Sequence, residues 1–393
     1  MKILHLVPAM EQGGVETVVL NLNRAVVANG WKNVVVSKGG RLVERIEREG
    51  GRHVALDVKS KNPLTYFARA KALARVLRIE RPDLVCAHSR VPAWLFVWAN
   101  RRLGIRWVTC AHGANSVSRY SEVMTKGDLT VVPSHFLADY LKAHYAIDDT
   151  RLRVVNPSVD ADRFDPTRLD AAFVDSRRRA WGIGPDDFVV MTVGRLSPVK
   201  GYDMLLRAAA KLAPDVRRLR LVLVGDADAG HLEYREALQR EAETLGFAVR
   251  GASDAARPAA SDSPSVIFAG GESKIPECLS LASVVVSANT RKPESFGLSM
   301  AEALMMDRPV VAQAFGGALD VVRDGLDGVL VPPGDEPGAV DRFAAALRRV
   351  RTTSFAGLRT RAQERFSQNV TAAKFVVVCR EALGADAGNG AAS

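Results

Sequence analysis

Pro293-Glu294-Ser295-Phe296-Gly297-Leu298-Ser299-Met300-Ala301-Glu302-Ala303-Leu304 sets two carboxylates eight residues apart, just ahead of a stop at Asp307-Arg308-Pro309. The pattern predicts a loop that opens into a short apolar helix. Gly297 at its mouth lets the backbone approach a ligand closely. The free amides of a helix start are a natural seat for an anion. Glu294 then stands in the loop before the helix and Glu302 about one turn inside it. Both can accept hydrogen bonds from hydroxyl groups on either side of a bound phosphate, which suits a sugar, a diphosphate and a ribose held in line. A structural reading competes: Ser299-x-x-Glu302 before an apolar run is also a capping box.

Outward from this stretch the chain repeats one format of strand, glycine-bearing turn and helix. In the first half, strands are expected at Ile3–Pro8, Asn33–Ser37, His53–Val58, Leu84–Ala87, Trp107–Ala111, Leu129–Pro133 and Leu152–Val155. In the second they are expected at Phe188–Val193, Leu219–Val224, Ser265–Phe268, Val284–Ser287, Pro309–Ala312 and Gly328–Val331. Valine- and isoleucine-rich runs separated by amphipathic helices predict parallel sheets covered on both faces. Two doubly wound α/β domains follow, at 1–170 and 185–366. A further helix is expected over 367–384 and a disordered tail over 385–393. Gly251–Pro264, small and polar with two prolines, reads as a surface insertion.

At 393 residues, 47% hydrophobic and 25% charged, the chain is long enough for two globular cores. Its four scattered cysteines form no CxxC pair, which fits a reducing, cytoplasmic setting. The run Ile3–Met10 is too short for a signal-peptide core, and Val91–Ala99 is far too short to span a bilayer. The net charge of +10 is lopsided: residues 1–165 carry 25 basic against 16 acidic groups, the remainder 29 against 28. An anionic partner for the first half is the natural expectation. The basic residues follow no recognition-helix, zinc-finger or stacking-platform pattern, so no nucleic-acid partner is expected.

Three further segments carry chemistry. In Val193-Gly194-Arg195-Leu196-Ser197-Pro198-Val199-Lys200-Gly201, an arginine fork and a lysine point charge can converge on one diphosphate. Taken singly, such a pair is usually two solvated cations. Glu11-Gln12-Gly13-Gly14-Val15-Glu16 follows the first strand, at the edge where open α/β sheets bind ligands. Cys110-Ala111-His112-Gly113 ends another strand, and none of the other six histidines has a comparable setting. Asp226-Ala227-Asp228 has the look of a metal-binding pair, but phosphate neutralisation already falls to Arg195 and Lys200. No metal site is expected.

The Glu-x7-Glu stretch, taken with these segments, resembles the retaining nucleotide-sugar glycosyltransferases of family 4, the glycogen-synthase-like group with the GT-B fold. The likeness runs over nearly the whole chain and is densest between residues 188 and 335. It implies two Rossmann-like domains with the active site in the interdomain cleft, closing to exclude water, and a final helix that crosses back onto the first domain. It also implies that Arg195 and Lys200 neutralise the leaving diphosphate, and that Glu294 binds the sugar hydroxyls while His112 faces the donor sugar. Glu302 would hold the ribose, and Phe296, Gly297, Leu298 and Ser299 would lie along the diphosphate. Gly13 and Gly14 would approach the donor, with Gly225, Asp226 and Gly270 walling the base. Two departures bear on substrate detail: Gln313-Ala314-Phe315 precedes Gly316-Gly317 where a threonine is commoner, and Asp320 stands where glutamate is frequent.

The expected function is therefore retaining, metal-independent sugar transfer from a nucleotide diphosphate donor, with no cofactor. The acceptor is expected to be lipid-linked or a saccharide, in lipopolysaccharide, capsule or glycolipid synthesis. An epimerase or phosphorylase on the same fold, or a non-catalytic sugar-nucleotide binder, are the alternatives. The first domain is expected to rest on an anionic membrane surface. There Arg69, Lys71, Arg75 and Arg78 accompany Phe67, Leu73, Val76 and Leu77 along one helix. These positions read equally as an ordinary solvated helix face.

Overall fold

Short runs of β-branched residues become parallel strands here because helices bury both of their faces. The computed structural model describes residues 1–11, 13–251, 263–289, 291–334 and 336–384. They divide into two units, Met1–Ser158 joined by the chain from Phe366, and Val159–Arg365. Most of the insertion expected at Gly251–Pro264, and the tail 385–393, lie outside the described residues.

The first unit holds β1 (Lys2–Leu6), β2 (Lys32–Ser37), β3 (Arg52–Ala55), β4 (Leu84–Ala87), β5 (Arg106–Cys110), β6 (Leu129–Val132) and β7 (Leu152–Val154). They form one parallel sheet in the order β3-β2-β1-β4-β5-β6-β7. One face packs Leu4, Leu6 and Val85 against the helices Tyr66–Glu80 and Arg90–Ala99. The other packs Ile3, Cys86 and Val108 against Leu22 and Val26 of the helix Gly14–Ala28 and Phe375 and Val378 of the helix Gln368–Ala382. That last helix is tied to the sheet by Arg153 Nε to Glu381 Oε2 at 2.8 Å and Thr371 Oγ1 to the Asn156 carbonyl at 3.0 Å.

The second unit holds β8 (Phe188–Val193), β9 (Leu219–Val224), β10 (Ala248–Gly251), β11 (Ser265–Gly270), β12 (Val284–Ser287), β13 (Val310–Gln313) and β14 (Gly328–Val331), again all parallel, in the order β10-β11-β9-β8-β12-β13-β14. β10 was not anticipated. It is an edge strand of four residues, and only Val249 in it is strongly apolar, so its alternation is too short to read. The domain break expected between residues 170 and 185 falls instead between Ser158 and Val159. Residues 159–187 belong to the second unit because Phe164 is buried there and its carbonyl accepts from Arg359. The helix Ala171–Ala180 also packs on the helix Ile275–Ser280.

Among the described residues no helix is long and apolar enough to cross a membrane. All four cysteines are free and buried.

Candidate active site

In the second unit the sheet order reverses at β8. The chain passes from β8 to β9 on one side, while β12 lies on the other. Loops leaving the carboxyl ends of β8 and β12 therefore diverge and leave a crevice, the standard ligand position of an open parallel sheet. The loop after β8 carries Arg195 and Lys200, and the loop after β12 carries Glu294 and the helix Leu298–Met305. Two segments almost a hundred residues apart are thus neighbours because of strand order.

The pairings across this crevice are specific. Lys200 Nζ is ion-paired with Glu294 Oε1, each about one quarter exposed. Lys200 also lies over Gly194: a Cβ built on that glycine would sit 3.6 Å from Lys200 Cε. Arg195 is 67% exposed and pairs with Asp228 at 3.3 Å, while Asp228 also contacts His231 Nδ1 at 2.5 Å. His231 and Arg195 hold the Asp228 carboxyl below its ordinary range. Asp228 is thereby committed to two basic partners.

Gly297 caps the helix with φ of 95°, a left-handed conformation that a Cβ would strain. Its carbonyl accepts from the Met300 and Ala301 amides. The amides of Leu298 and Ser299 precede that first bond and have no acceptor within the helix. Because Gly297 is the cap and no side chain caps this helix, Ser299 and Glu302 form no capping box. Glu302 stands inside the helix, and its carboxyl has no hydrogen-bond partner among the described residues. Desolvation pushes it up to about 7, against the pull of Arg163. An acid with no protein partner at this depth is available to a ligand hydroxyl.

Phe296 is only 4% exposed. Its ring belongs to the core, so the side chain anchors the loop. Gly317 explains the anchoring: a Cβ there would lie 2.4 Å from Phe296 Cα, and its amide donates to the Glu294 carbonyl at 2.8 Å. The Gly316-Gly317 pair after β13 thus presses the Glu294 loop into place. On the opposite flank, Gly225 donates to the Gly270 carbonyl at 2.8 Å and Asp226 accepts from the Leu196 amide at 3.0 Å. Gly225, Asp226 and Gly270 therefore adjoin the Arg195 loop.

In the first unit, Gly13 caps the helix Gly14–Ala28 with no side-chain bond, and both glycines are exposed after β1. His112 lies two residues beyond β5, and it is not the isolated histidine that the sequence suggests. Its Nε2 meets His88 Nδ1 at 2.9 Å, and His88 Nε2 meets His5 Nδ1 at 2.8 Å. The rings of His88 and His112 stack at 5.1 Å with 12° between planes. Burial lowers all three, to about 3 for His5 and about 4 for His112, so they are neutral near pH 7. The sequence did carry a signal that points to His88: Cys-Ala-His occurs at 86–88 and again at 110–112, closing two adjacent strands.

Elsewhere on the first unit, a groove of about 660 Å³ opens beside the helices Tyr66–Glu80 and Arg90–Ala99. Its lining includes Tyr66, Phe67, Trp94 and Tyr120 together with Arg69 and Arg90. Arg69 is turned inward and buried, which corrects its expected place on an outer helix face. Its Nε donates to Thr65 and one terminal nitrogen to the Asn62 carbonyl, while Nη1 is buried with no partner among the described residues. Leu73 and Leu77 are likewise core.

Two family profiles match, glycosyltransferase family 4 over residues 12–163 and glycosyl transferases group 1 over 187–352. A D-inositol 3-phosphate glycosyltransferase of Kribbella flavida is 30% identical over 322 residues, covering 75% of this chain and 69% of the relative. The chain belongs to glycosyltransferase family 4. An enzyme of the same name from a Nocardioides species is 29% identical over 86% of this chain and 78% of its own length. Several others of that name match over less than half of theirs. A glycosyltransferase from Rickettsia africae shares the GT-B fold with a TM-score of 0.83 at 24% identity, covering 98% of this chain and 99% of that one. Anabaena HepE, solved with UDP and glucose, gives 0.78 at 20% identity over 96% and 99%. With family 4 membership the Glu-x7-Glu and Arg-x4-Lys segments acquire a common setting, the switch point of the second unit.

Proposed function

We propose that this glycosyltransferase moves a sugar from a nucleoside diphosphate donor to an acceptor hydroxyl with retention and without a metal. The observation that carries the reading is the Lys200–Glu294 pair beside the unpartnered Glu302 and the Leu298–Ser299 amides. One short crevice offers cations and amides to a diphosphate and carboxyl groups to hydroxyls on both sides of it. Lys200, Arg195 and the amides stabilise charge as it develops on the leaving phosphate. That phosphate can take the acceptor proton, so no second carboxylate at nucleophile distance is required. Metal independence rests on the same cations and on Asp228 being occupied by Arg195 and His231. HepE is solved with UDP and glucose, which makes a uridine diphosphate sugar the first donor to try. Release of nucleoside diphosphate only when an acceptor is present supports transfer. Release without acceptor, or none with any donor, refutes it. Proton NMR of the glycoside made from an α-linked donor tests retention.

For the acceptor, the groove of the first unit favours a phosphorylated molecule. Arg69 offers a buried guanidinium nitrogen without a partner, Arg90 a second cation, and the aromatic walls a surface for a ring or chain. The curated relatives bear the name of an inositol 3-phosphate enzyme, and a lipid-borne phosphate has the same chemistry. Soluble inositol and sugar phosphates in one arm, and phosphate-headgroup lipids in anionic vesicles in the other, separate the two sources. The lipid arm also tests membrane docking. Lys71, Arg75 and Arg78 are exposed beside Leu64, Phe67 and Ile79 on or just before one helix, a pattern suited to a salt-sensitive hold on an anionic leaflet. Equal recovery with neutral and anionic vesicles rules that docking out.

A further inference from the structure

The three histidines of the first unit form a diagonal row. His5 pairs in register with Cys86, and Cys86 with Val108. His88 lies two residues beyond Cys86 and His112 four beyond Val108, so all three share one face of the sheet. That face is covered by the helix Gln368–Ala382, whose Phe375 ring stacks on His5 at 6.0 Å. At the far end His5 Nε2 is buried with no hydrogen-bond partner among the described residues.

A neutral imidazole has one N–H and one bare nitrogen. In a row of three, the direction of one bond therefore sets all the others. If protons point from His5 toward His112, each Nδ1–H donates to the next Nε2, and the group left over is a bare nitrogen on His5. If they point the other way, the group left over is a buried N–H on His5. Among backbone groups an orphaned buried N–H is rarer than an under-satisfied acceptor, and the same preference carried to the imidazole row favours the first direction. We infer that His5 and His88 are positioning residues that lock His112 in the tautomer protonated on Nδ1, so that it meets its ligand as a hydrogen-bond donor.

This rests on the reading that His112 faces the reacting sugar, and it deepens that reading. His112 Nε2 is engaged by His88, so only Nδ1 remains for a ligand, and it carries the proton. His112 can donate to a sugar or phosphate oxygen. It has no lone pair with which to deprotonate the acceptor, which leaves that proton to the leaving diphosphate.

Side-chain nitrogen-15 NMR of the full-length protein tests the assignment at pH 7.5. All three rings are expected as Nδ1–H tautomers, opposite to the Nε2–H form that free histidine prefers. His88→Phe keeps a ring but removes both nitrogens. It should return His112 to Nε2–H and lower kcat about threefold to tenfold, the loss of one neutral hydrogen bond. His88→Asn, whose amide can donate at the place of Nδ1, should keep the His112 tautomer and retain more turnover than His88→Phe. A wild-type His112 protonated on Nε2 overturns the inference, as does a His112 tautomer indifferent to His88→Phe. If a variant does not fold, the wild-type spectrum alone decides. If His112→Phe leaves transfer intact while the tautomers are as expected, the placement of His112 against the sugar fails and the inferred row stands.

Discussion

The two units share a sheet order of the same kind but line their carboxyl edges with opposite materials. In the second unit the edge is made of charges held in pairs: Lys200 with Glu294, and Arg195 with Asp228. In the first it is made of neutral rings, the row His5–His88–His112, with His5 and His88 buried and His112 half-buried. Paired charges can exchange partners when an anion arrives, whereas a buried neutral row cannot charge without a large desolvation cost. On the function proposed above, the charged edge receives the diphosphate and the neutral edge presents fixed hydrogen-bonding directions.

The largest effect should come from breaking the charged edge. Lys200→Ala and Arg195→Ala should each lower kcat by about a hundredfold or more, as when a donor aimed at developing charge is removed. Lys200→Ala also leaves Glu294 without its partner. Chelator should leave wild-type turnover unchanged. An enzyme that stops in EDTA and revives with manganese would end the idea that these two cations suffice.

Next, Glu294 and Glu302 should separate. Loss of a charge-assisted hydrogen bond costs about 1.5–3 kcal/mol, or roughly ten- to a hundredfold. Glu302→Ala should spend this loss on donor affinity, and Glu294→Ala mainly on kcat. Calorimetric donor titration beside steady-state rates reads the split. Equal donor affinity for wild type and Glu302→Ala removes Glu302 from the nucleotide side.

How much of this was readable from the sequence depended on distance along the chain. Most strands were legible, because they are short apolar runs set off by glycine or proline, whereas the edge strand β10, with only Val249 strongly apolar, was not. The local motifs of the second unit were legible as well, since Arg195 to Lys200 and Glu294 to Glu302 each fit within one loop and its helix. What was not legible was pairing. That Lys200 meets Glu294 depends on β8 and β12 being neighbours, and the histidine row needs three strands in register. Phe296 and Arg69 show a related limit. Composition gives a residue's chemistry, but tertiary packing decides whether it points inward, as it does for both of these buried side chains. The Cys-Ala-His repeat was the one local trace of the row, and its meaning appears only once β4 and β5 are adjacent.

The smallest effect, and the one that sharpens the comparison most, is the dependence of stability on pH. His5 is fully buried, and its folded value of about 3 lies below the unfolded 6.5. Between those values the unfolded chain binds a proton that the folded chain refuses. Stability is therefore complete above about pH 6.5 and declines as pH falls from there. Glu302 has the opposite sign: its folded value of about 7 lies above the unfolded 4.5. Between these values the folded chain holds the extra proton, so stability is complete below about pH 4.5 and declines as pH rises toward 7. Each group changes stability by at most about 1.4 kcal/mol per pH unit in its window, less for Glu302, which is half-buried. From pH 6.5 down to 4.5 the first unit should thus weaken while the second tightens. A single unfolding midpoint would partly cancel the two, so amide exchange resolved by residue is the right measurement. His5→Phe should reduce the trend for β1, β4 and β5 alone, His88 and His112 still contributing to it, and Glu302→Gln should flatten it for β12 and β13 alone. Parallel trends in both units on acidification would mean that the edges are not electrostatically distinct and would dissolve the contrast between them.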